Sequence, residues 1–321
     1  MPPLVSVVIV NFNSGAYLDR CLDSLHQQSF RDFETIVVDN ASADRSLEAA
    51  ESRPWVSVIR NQANLGFAAG QNQGLRRAGG RYLMPLNFDI LLRPDFLECM
   101  IAALESYPSA GTVSGKLLRM LPDGSPTGEL DNAGLLLSRR RMPQHRGIGE
   151  RDRGQYQQRE LVFGAMGAAA LYRRQMLEEI AYKGQYFDES FFTWYEDIDL
   201  DWRGRLQGWD CLYTPEAVAY HVGDPQKNHL TAFAARHTIR NRWQMILSND
   251  CLHCMLRDAR FLWIEELALL RHVLMHRRFQ AYLKAASQLF WRLPAVMAKR
   301  RSVRRGAKRS CLPDYPVPLK Q

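Results

Sequence analysis

The first third of the chain alternates between short apolar runs and helix-like stretches, and this alternation is what most constrains the fold. β-Branched or apolar runs occupy residues 5–10, 35–38, 56–59 and 82–86. The spacing of apolar residues predicts helices over 17–27, 42–50, 67–78 and 94–106. Strands that alternate with helices are typical of a mostly parallel sheet with helices on both faces. The sequence therefore predicts an α/β fold in which a ligand binds beyond the carboxyl ends of the strands.

Polar residues follow each of these four predicted strands. They are Asn11, Asn13, Asp39, Asn64, Asn87 and Asp89. Any one of them is explained by turn chemistry, since Asn and Asp make turns for purely local reasons. Four successive strand ends of this kind, at one edge of a parallel sheet, instead indicate a ligand crevice.

The alternation weakens after Lys116. The polar, arginine-rich residues 139–160 predict an exposed or mobile loop. The small apolar run 164–171 predicts a strand that a ligand or another backbone approaches closely. Short strands are predicted at 211–213 and 217–221, and helices from 232 to about 297.

Residues 191–203 combine four acidic side chains with five aromatic ones, and Glu196 and Asp197 lie at their centre. Aromatic neighbours desolvate a carboxylate and raise its pKa, which suits a general base. A helix is predicted to begin here, and its dipole favours negative charge at the N-terminus. An acidic N-cap on an amphipathic helix explains the same pattern without any catalytic role, so both interpretations stay open at this point.

The formal net charge of +8 is concentrated near the C-terminus. Residues 251–321 contain fifteen Lys or Arg and four Asp or Glu, so the rest of the chain is slightly acidic. This distribution, without a recognition motif in the body, argues against nucleic-acid binding. No signal peptide and no uncharged run long enough to span a bilayer is evident. Six scattered cysteines suit a reducing compartment, and Cys251-Leu252-His253-Cys254 is a lone C-x-x-C without a second pair, which makes zinc binding an unfavoured interpretation.

The basic C-terminal region has apolar residues at mostly helical spacing with arginines between them. Such a basic amphipathic region can lie on anionic lipid, and its basic run 299–309 strengthens that expectation. Its apolar face could equally pack on the rest of the chain or on a second copy, which would give a homo-oligomer.

Seven motifs occur in a fixed order between residues 4 and 245. They are residues 5–13, 37–42, 64–68, 86–89, 164–165, 187–189 and 196–200. In residue sequence and order they resemble the inverting family-2 glycosyltransferases, and within that family the bacterial rhamnosyltransferase-like branch. The resemblance implies a Rossmann-like GT-A domain over 1–247, with a nucleotide-sugar-binding half at 1–116 and an acceptor-binding, catalytic half at 117–247. Residues 248–321 would form a basic helical tail.

The resemblance also assigns the donor site. Asp39 is expected to hold the pyrimidine or ribose, with Asn11, Asn13 and Asn64 near the nucleotide. Asp89 corresponds to the last acidic residue of the D-x-D motif, which holds a divalent metal on the donor diphosphate. Oxygen ligands suit Mg²⁺ or Mn²⁺.

Two positions depart from this motif: Asn87 stands in place of the first Asp, and Phe88 stands where the rhamnosyltransferase-like branch has Pro. An amide oxygen is a weaker ligand than a carboxylate, so weak metal binding is expected. His221 matches a further metal ligand of some relatives, although a hydrogen-bonded structural role explains a lone His equally well.

In the implied reaction Asp197 is the base that deprotonates the acceptor hydroxyl, and Glu196 orients the acceptor or replaces it as base. Asp199 and Asp201 are expected to be helix-surface or structural residues. Arg203 and residues 240–242 either meet phosphates or form a solvated face.

The expected donor is dTDP-L-rhamnose, with a UDP-sugar as the alternative. The acceptor is a saccharide, expected to be lipid-linked at the inner face of the cell membrane during cell-surface polysaccharide synthesis. The enzyme would be cytoplasmic and peripheral there, in contact with anionic lipid. A nucleotide-binding protein without transferase activity is the competing hypothesis.

Overall fold

The computed structural model describes residues 2–223, 231–311 and 317–319. Its strands are β1 (Val5–Asn11), β2 (Phe33–Asp39), β3 (Val56–Arg60), β4 (Tyr82–Leu86), β5 (Ile90–Leu92), β6 (Ala110–Met120), β7 (Pro126–Asn132), β8 (Leu135–Leu137), β9 (Pro143–His145), β10 (Glu160–Val162), β11 (Ala170–Arg173), β12 (Asp210–His221) and β13 (Val317–Pro318). Its helices are α1 (Tyr17–His26), α2 (Ser46–Glu51), α3 (Phe67–Arg77), α4 (Phe96–Ser106), α5 (Arg174–Ile180), α6 (Glu196–Leu206), α7 (Ala232–Asn249), α8 (Leu252–Arg257), α9 (Ala259–Met275) and α10 (Phe279–Arg305).

The N-terminal half is the predicted parallel sheet. β1 pairs in parallel with β2 and β4, and β2 pairs in parallel with β3. Successive residues of β1 point to opposite faces: Val7 shares a core with Leu18 of α1, and Val8 shares another with Leu75 of α3. Gly74 allows α3 to lie against the sheet, because an added Cβ would be 2.2 Å from a methyl of Val8. The alternating pattern therefore predicted both the strands and their two covered faces.

The second half extends the same sheet with mixed pairing. The strand order is β13-β10-β12-β6-β11-β4-β1-β2-β3 among the described residues, and β11 is antiparallel to both β4 and β6. The strands predicted at 211–213 and 217–221 form one strand, β12, with a shift of register between Tyr213 and Val218. The strand predicted over 164–171 is only partly present, since β11 begins at Ala170.

The segment predicted as a loop over 139–160 is partly buried and partly regular in the structure. Arg141 and Arg146 are buried, and the segment contains β9. Arg141 contacts the carboxylates of Asp250 and Asp258 at 2.8 and 3.0 Å, and Arg146 pairs with Glu160. More than half of the segment is exposed, as predicted, but Arg141 and Arg146 anchor it through carboxylates that the sequence pattern did not indicate.

The C-terminal helices pack on the second half of the α/β domain. Lys299 of α10 is buried and contacts Asp188 at 2.7 Å and Asp199 at 2.8 Å. Arg309 donates to the Gly208 carbonyl, and β13 then adds an edge strand beside β10. The basic run 299–309 is thus largely used in tertiary contacts and is not a free tail; residues 312–316 and 320–321 of the predicted tail lie outside the described residues. Within the described chain, no helix is both long and apolar enough to cross a bilayer.

Candidate active site

A cavity of about 510 Å³ lies where the carboxyl end of β4 meets the N-terminus of α6. Its lining includes Asn87, Asp131, Gly167, Glu196, Asp197 and His221. The structure therefore brings Asn87 of the predicted donor motif, the predicted base Asp197 and the predicted metal ligand His221 to one cavity, although they are far apart in sequence.

Asp39 is held at the end of β2 by a closed polar network. Its Oδ1 accepts hydrogen bonds from the Asn11 amide at 2.8 Å and from the Ser42 hydroxyl at 2.6 Å. Asn11 also donates to Ser42 and Ser46, and its own oxygen accepts from Ser14. Because Asn11 is fully buried and its amide is already bonded, its side chain positions Asp39, and its expected contact with the nucleotide stays a prediction.

Asn13 and Asn64 occupy exposed loops beside this network. Asn13 has a left-handed φ of 50°, and its Oδ1 accepts a hydrogen bond from the Ala43 amide at 2.7 Å. Asn64 accepts from the Gly66 amide at 2.9 Å, next to the start of α3. Their side chains order the loops that follow β1 and β3, as Asn commonly does in turns.

Asp89 lies in the turn between β4 and β5, and the antiparallel pairing of β5 with β12 brings it close to His221 at the end of β12. His221 Nε2 lies 3.5 Å from Asp89 Oδ2, and its Nδ1 lies 2.8 Å from Asp131 Oδ2. Burial alone would lower the pKa of His221, but its hydrogen bonds to Asp131 and Asp89 raise the pKa to about 10. The carboxylates thus attract positive charge to this ring.

This arrangement fits a divalent cation. Neighbouring ligand atoms that are each about 2.1 Å from an octahedral ion lie about 3 Å from one another. His221 Nε2 and Asp89 Oδ2 are 3.5 Å apart, which is close to that separation. Asp131 would fix the ring orientation through Nδ1, as outer carboxylates do for metal-bound histidines. Asn87 lines the cavity beside them and would be a weaker third ligand.

The turn before α6 has unusual backbone geometry. Phe192, Trp194 and Tyr195 all have left-handed φ angles, of 69°, 65° and 73°. Such conformations are costly for bulky residues and persist only when the surroundings hold them, often at functional sites. Here the Asn241 amide donates to the carbonyls of Phe191, Thr193 and Trp194 at 2.8–3.0 Å.

Arg240 and Arg242, two of the residues proposed as phosphate ligands, flank Asn241 and donate to backbone carbonyls. Arg240 donates to the Phe191 carbonyl, and Arg242 donates to the Arg140 carbonyl and pairs with Glu266. Both arginines are buried and bonded to protein atoms, so the alternative of a solvated face was wrong, whereas contact with phosphates stays a prediction.

The two carboxylates at the start of α6 differ in their hydrogen bonds. Asp197 Oδ2 accepts from the Gly167 amide at 3.0 Å, and its Oδ1 accepts from the Ile198 amide at 2.8 Å. Glu196 is buried, and its Oε2 has no hydrogen-bond partner. Burial raises the pKa of both groups, and the charge of Asp197 raises that of Glu196 further, whereas the two backbone amides oppose the rise at Asp197. The ionised form is therefore better stabilised on Asp197.

The later acidic residues of α6 are structural. Asp199 is fully buried and pairs with Lys299 and Arg203. Asp201 accepts from the Ala165 amide at 2.8 Å, and Gly164 is needed there because an added Cβ would lie 2.2 Å from Asp201 Oδ2. The small residues at 164–167 thus form a loop that two carboxylates of α6 approach, not the predicted strand.

Sequence reasoning missed Asp131, His145 and Gly167, which also line the cavity. Asp131 belongs to no short motif, and only the pairing of β7 with β6 brings it near His221. Gly167 was signalled indirectly, by the run of small residues around it.

Comparisons with known proteins identify the family of this chain. The model of the glycosyl transferase family 2 domain matches residues 6–181. An N-acetylglucosaminyl-diphospho-decaprenol L-rhamnosyltransferase of Mycobacterium tuberculosis is 27% identical over 267 residues, which cover 72% of this chain and 82% of that protein.

Solved glycosyltransferases share the fold. The mannosyltransferase PcManGT of Pyrobaculum calidifontis, solved with GDP-Man and Mn²⁺, has a TM-score of 0.58 at 18% identity, covering 95% of this chain and 84% of its own. TarS 1–349 of S. aureus, solved with UDP, has a TM-score of 0.53 at 18% identity, covering 82% and 70%. The predicted GT-A fold is confirmed, and the chain belongs to glycosyl transferase family 2 and is a glycosyltransferase.

Proposed function

We propose that this glycosyltransferase inverts the anomeric centre of its donor sugar and uses Asp197 as the general base. The observation that carries the proposal is the position of Asp197. Two backbone amides orient it toward the same cavity that His221 enters from β12. One carboxylate on the acceptor side and a cation-attracting pair on the donor side are what a single in-line displacement needs.

In the proposed step the acceptor hydroxyl attacks the anomeric carbon while Asp197 takes its proton. The new C–O bond forms as the bond to the nucleoside diphosphate breaks, and the electron pair leaves with the diphosphate. Asp39 and its network position the nucleoside at the end of β2. Trp194 lines the cavity beside Asp197, where it would contact the acceptor sugar.

A divalent metal, Mg²⁺ or Mn²⁺, would be held by Asp89 and His221 and would neutralise charge on the leaving diphosphate. Mn²⁺ is present in the solved PcManGT complex, which supports this cofactor for the same fold. The separation of Asp89 Oδ2 and His221 Nε2 is compatible with both ligating one ion.

The donor we propose is dTDP-L-rhamnose, and the acceptor a lipid-linked saccharide. The support is the mycobacterial relative, whose name specifies L-rhamnose transfer to N-acetylglucosaminyl-diphospho-decaprenol. A UDP-sugar is the second candidate, because TarS, which shares the fold, is solved with UDP-GlcNAc.

The test incubates the purified enzyme with each sugar nucleotide, Mn²⁺ or Mg²⁺, and an N-acetylglucosaminyl-diphospho-lipid. We expect rhamnose transfer from dTDP-L-rhamnose, with NMR showing a product whose anomeric configuration is opposite to that of the donor. Retention of configuration would contradict the inverting mechanism, and transfer from UDP-sugars alone would replace the proposed donor.

We further propose peripheral contact with an anionic membrane through α9 and α10. These helices expose large apolar residues, among them Trp263, Leu267, Leu274, Met275, Phe290 and Trp291. Arg260, Arg271 and Lys284 are exposed on the same helices. Apolar side chains beside basic ones suit an anionic interface, where a lipid-linked acceptor would lie.

A further inference from the structure

Three cysteines converge at the junction of α7 and α8. Cys251 precedes α8, Cys254 lies in its first turn, and Cys311 follows α10. Cys311 Sγ lies 3.4 Å from Cys251 Sγ and 2.7 Å from Cys254 Sγ, and all three sulfurs lie within 4.8 Å of one another. The C-x-x-C motif that stood alone in the sequence therefore gains a third cysteine from the tertiary structure.

The spacing of the sulfurs suits a tetrahedral metal. Zinc–thiolate bonds of about 2.3 Å place the sulfurs of one site about 3.8 Å apart, so small side-chain shifts would admit the ion. The Cys254 amide donates a hydrogen bond to Cys251 Sγ at 2.9 Å, which stabilises a thiolate there.

Charged side chains also surround the cluster. A cavity of about 50 Å³ beside the sulfurs is large enough for an ion and a water molecule. Four guanidinium groups and two carboxylates line it, contributed by Arg139, Arg141, Arg257, Arg304, Asp250 and Asp258. This excess of positive charge would offset the net negative charge of a zinc ion bound by three thiolates.

We propose that Cys251, Cys254 and Cys311 bind a structural zinc ion, with water or another group as the fourth ligand. The ion would fasten the segment after α10 to the end of α7. That end also contacts the catalytic helix, since the adjacent Asn249 donates to Asp199 of α6 at 2.8 Å. The site would thus stabilise the packing beneath α6, apart from the Asp89–His221 pair.

The test measures metal content and coordination in the full-length enzyme purified under reducing conditions from cells grown with zinc. We expect about one zinc per chain by elemental analysis, and X-ray absorption showing three sulfur neighbours. Cys311→Ser should lose most of the zinc and melt at a lower temperature. Cys99→Ser, a partly exposed cysteine outside the cluster, and Asp89→Ala should retain it.

A second measurement does not depend on the folding of a variant. A zinc chelator should lower the melting temperature of the wild type, and cobalt substitution should produce thiolate-to-cobalt charge-transfer absorption. Wild-type enzyme without zinc that fails to bind cobalt would overturn the proposal. So would a Cys254–Cys311 disulfide, detected by mass spectrometry of the non-reduced protein, that persists in the reducing purification.

Discussion

At the scale of single residues, the two adjacent carboxylates of α6 differ in the hydrogen bonds that they accept. Asp197 accepts from two backbone amides, whereas Glu196 is buried with one oxygen unpaired. A carboxylate that accepts backbone N–H bonds is stabilised in its charged form. This difference assigns the proposed base more firmly than the sequence, in which either residue fits the role.

We expect Asp197→Asn to abolish most turnover while leaving donor binding nearly unchanged. The amide keeps the size of the side chain but cannot take the acceptor proton, and a general base contributes about 10²–10⁴-fold in rate. Initial rates and calorimetric titration with the sugar nucleotide measure the two effects. Glu196→Gln is the matched control and should lose less; wild-type rates for Asp197→Asn would transfer the role to Glu196.

As the pH is lowered, the rate should begin to fall at a pH above the ordinary pKa of an aspartate. Burial raises the pKa of Asp197, so the base becomes protonated, and therefore inactive, at a higher pH than the usual value of about 3.9. A pH profile of kcat over a range where the fold is intact measures this. The residual rate of Asp197→Asn should lack the same acidic limb, and a limb shared by both proteins would assign it to another group.

Asp89→Ala should weaken donor binding and remove its dependence on Mn²⁺ or Mg²⁺, whereas Asn87→Ala should do less. Of the two, only Asp89 brings a full negative charge to the proposed cation, and it also contacts His221. Titration of the nucleoside diphosphate with and without metal decides between them. Equal wild-type affinity in both conditions would contradict the metal site.

At the scale of elements, α10 stabilises α6 and the segment before it through a buried lysine. Lys299 contacts Asp188 and Asp199, both from the segment that carries the active-site carboxylates. Burial alone would raise the pKa of Asp188, but the Lys299 charge and hydrogen bonds from Lys299 and Ser190 lower it to about 2. Because the folded-state pKa is depressed, this stabilisation is present above the unfolded pKa of about 4 and is lost as the pH falls toward 2.

Lys299→Met should therefore destabilise the fold by about 3–5 kcal/mol at neutral pH, because it leaves buried carboxylates without their cation. Chemical denaturation at pH 7 measures the free energy of unfolding. Lys284→Met, an exposed lysine on the same helix, is the control and should change it little. The deficit should shrink as the pH falls and Asp188 becomes protonated; a constant deficit would point to lost packing instead.

At the scale of the whole molecule, the C-terminal helices have two faces with different roles. One packs on α7 and α6, which uses much of the basic run 299–309. The other leaves Trp263 and Trp291 exposed by 68% and 78%. The membrane hypothesis therefore depends on the exposed apolar face of α9 and α10 more than on the basic run.

The double variant Trp263→Ser/Trp291→Ser should bind anionic liposomes at least about tenfold more weakly, since inserting a large apolar side chain contributes roughly 2 kcal/mol. Co-sedimentation measures this, and donor binding should not change. Leu121→Ser removes an exposed apolar residue elsewhere and is the control. If the wild type does not bind such liposomes at low salt, the face is a protein contact, and a concentration-dependent mass would indicate the homo-oligomer.

The sequence by itself determined the elements and the family. β1 to β4 and the helices between them follow from local periodicity, and the resemblance to the family proposed Asp39, Asp89 and Asp197 because each lies in a short motif beside a strand or helix end. Local patterns succeed here because strand and helix faces depend on residues only a few positions apart.

The tertiary structure alone decided which side chains meet. Asp131 reaches His221, Arg141 finds Asp250 and Asp258, and Cys311 joins Cys251 and Cys254 across 57 or more residues of chain. Whether an arginine faces solvent or a buried carboxylate, and whether a C-x-x-C stands alone, depends on strand pairing and helix packing between distant segments. Those contacts leave no local period in the sequence, so only the folded chain could reveal them.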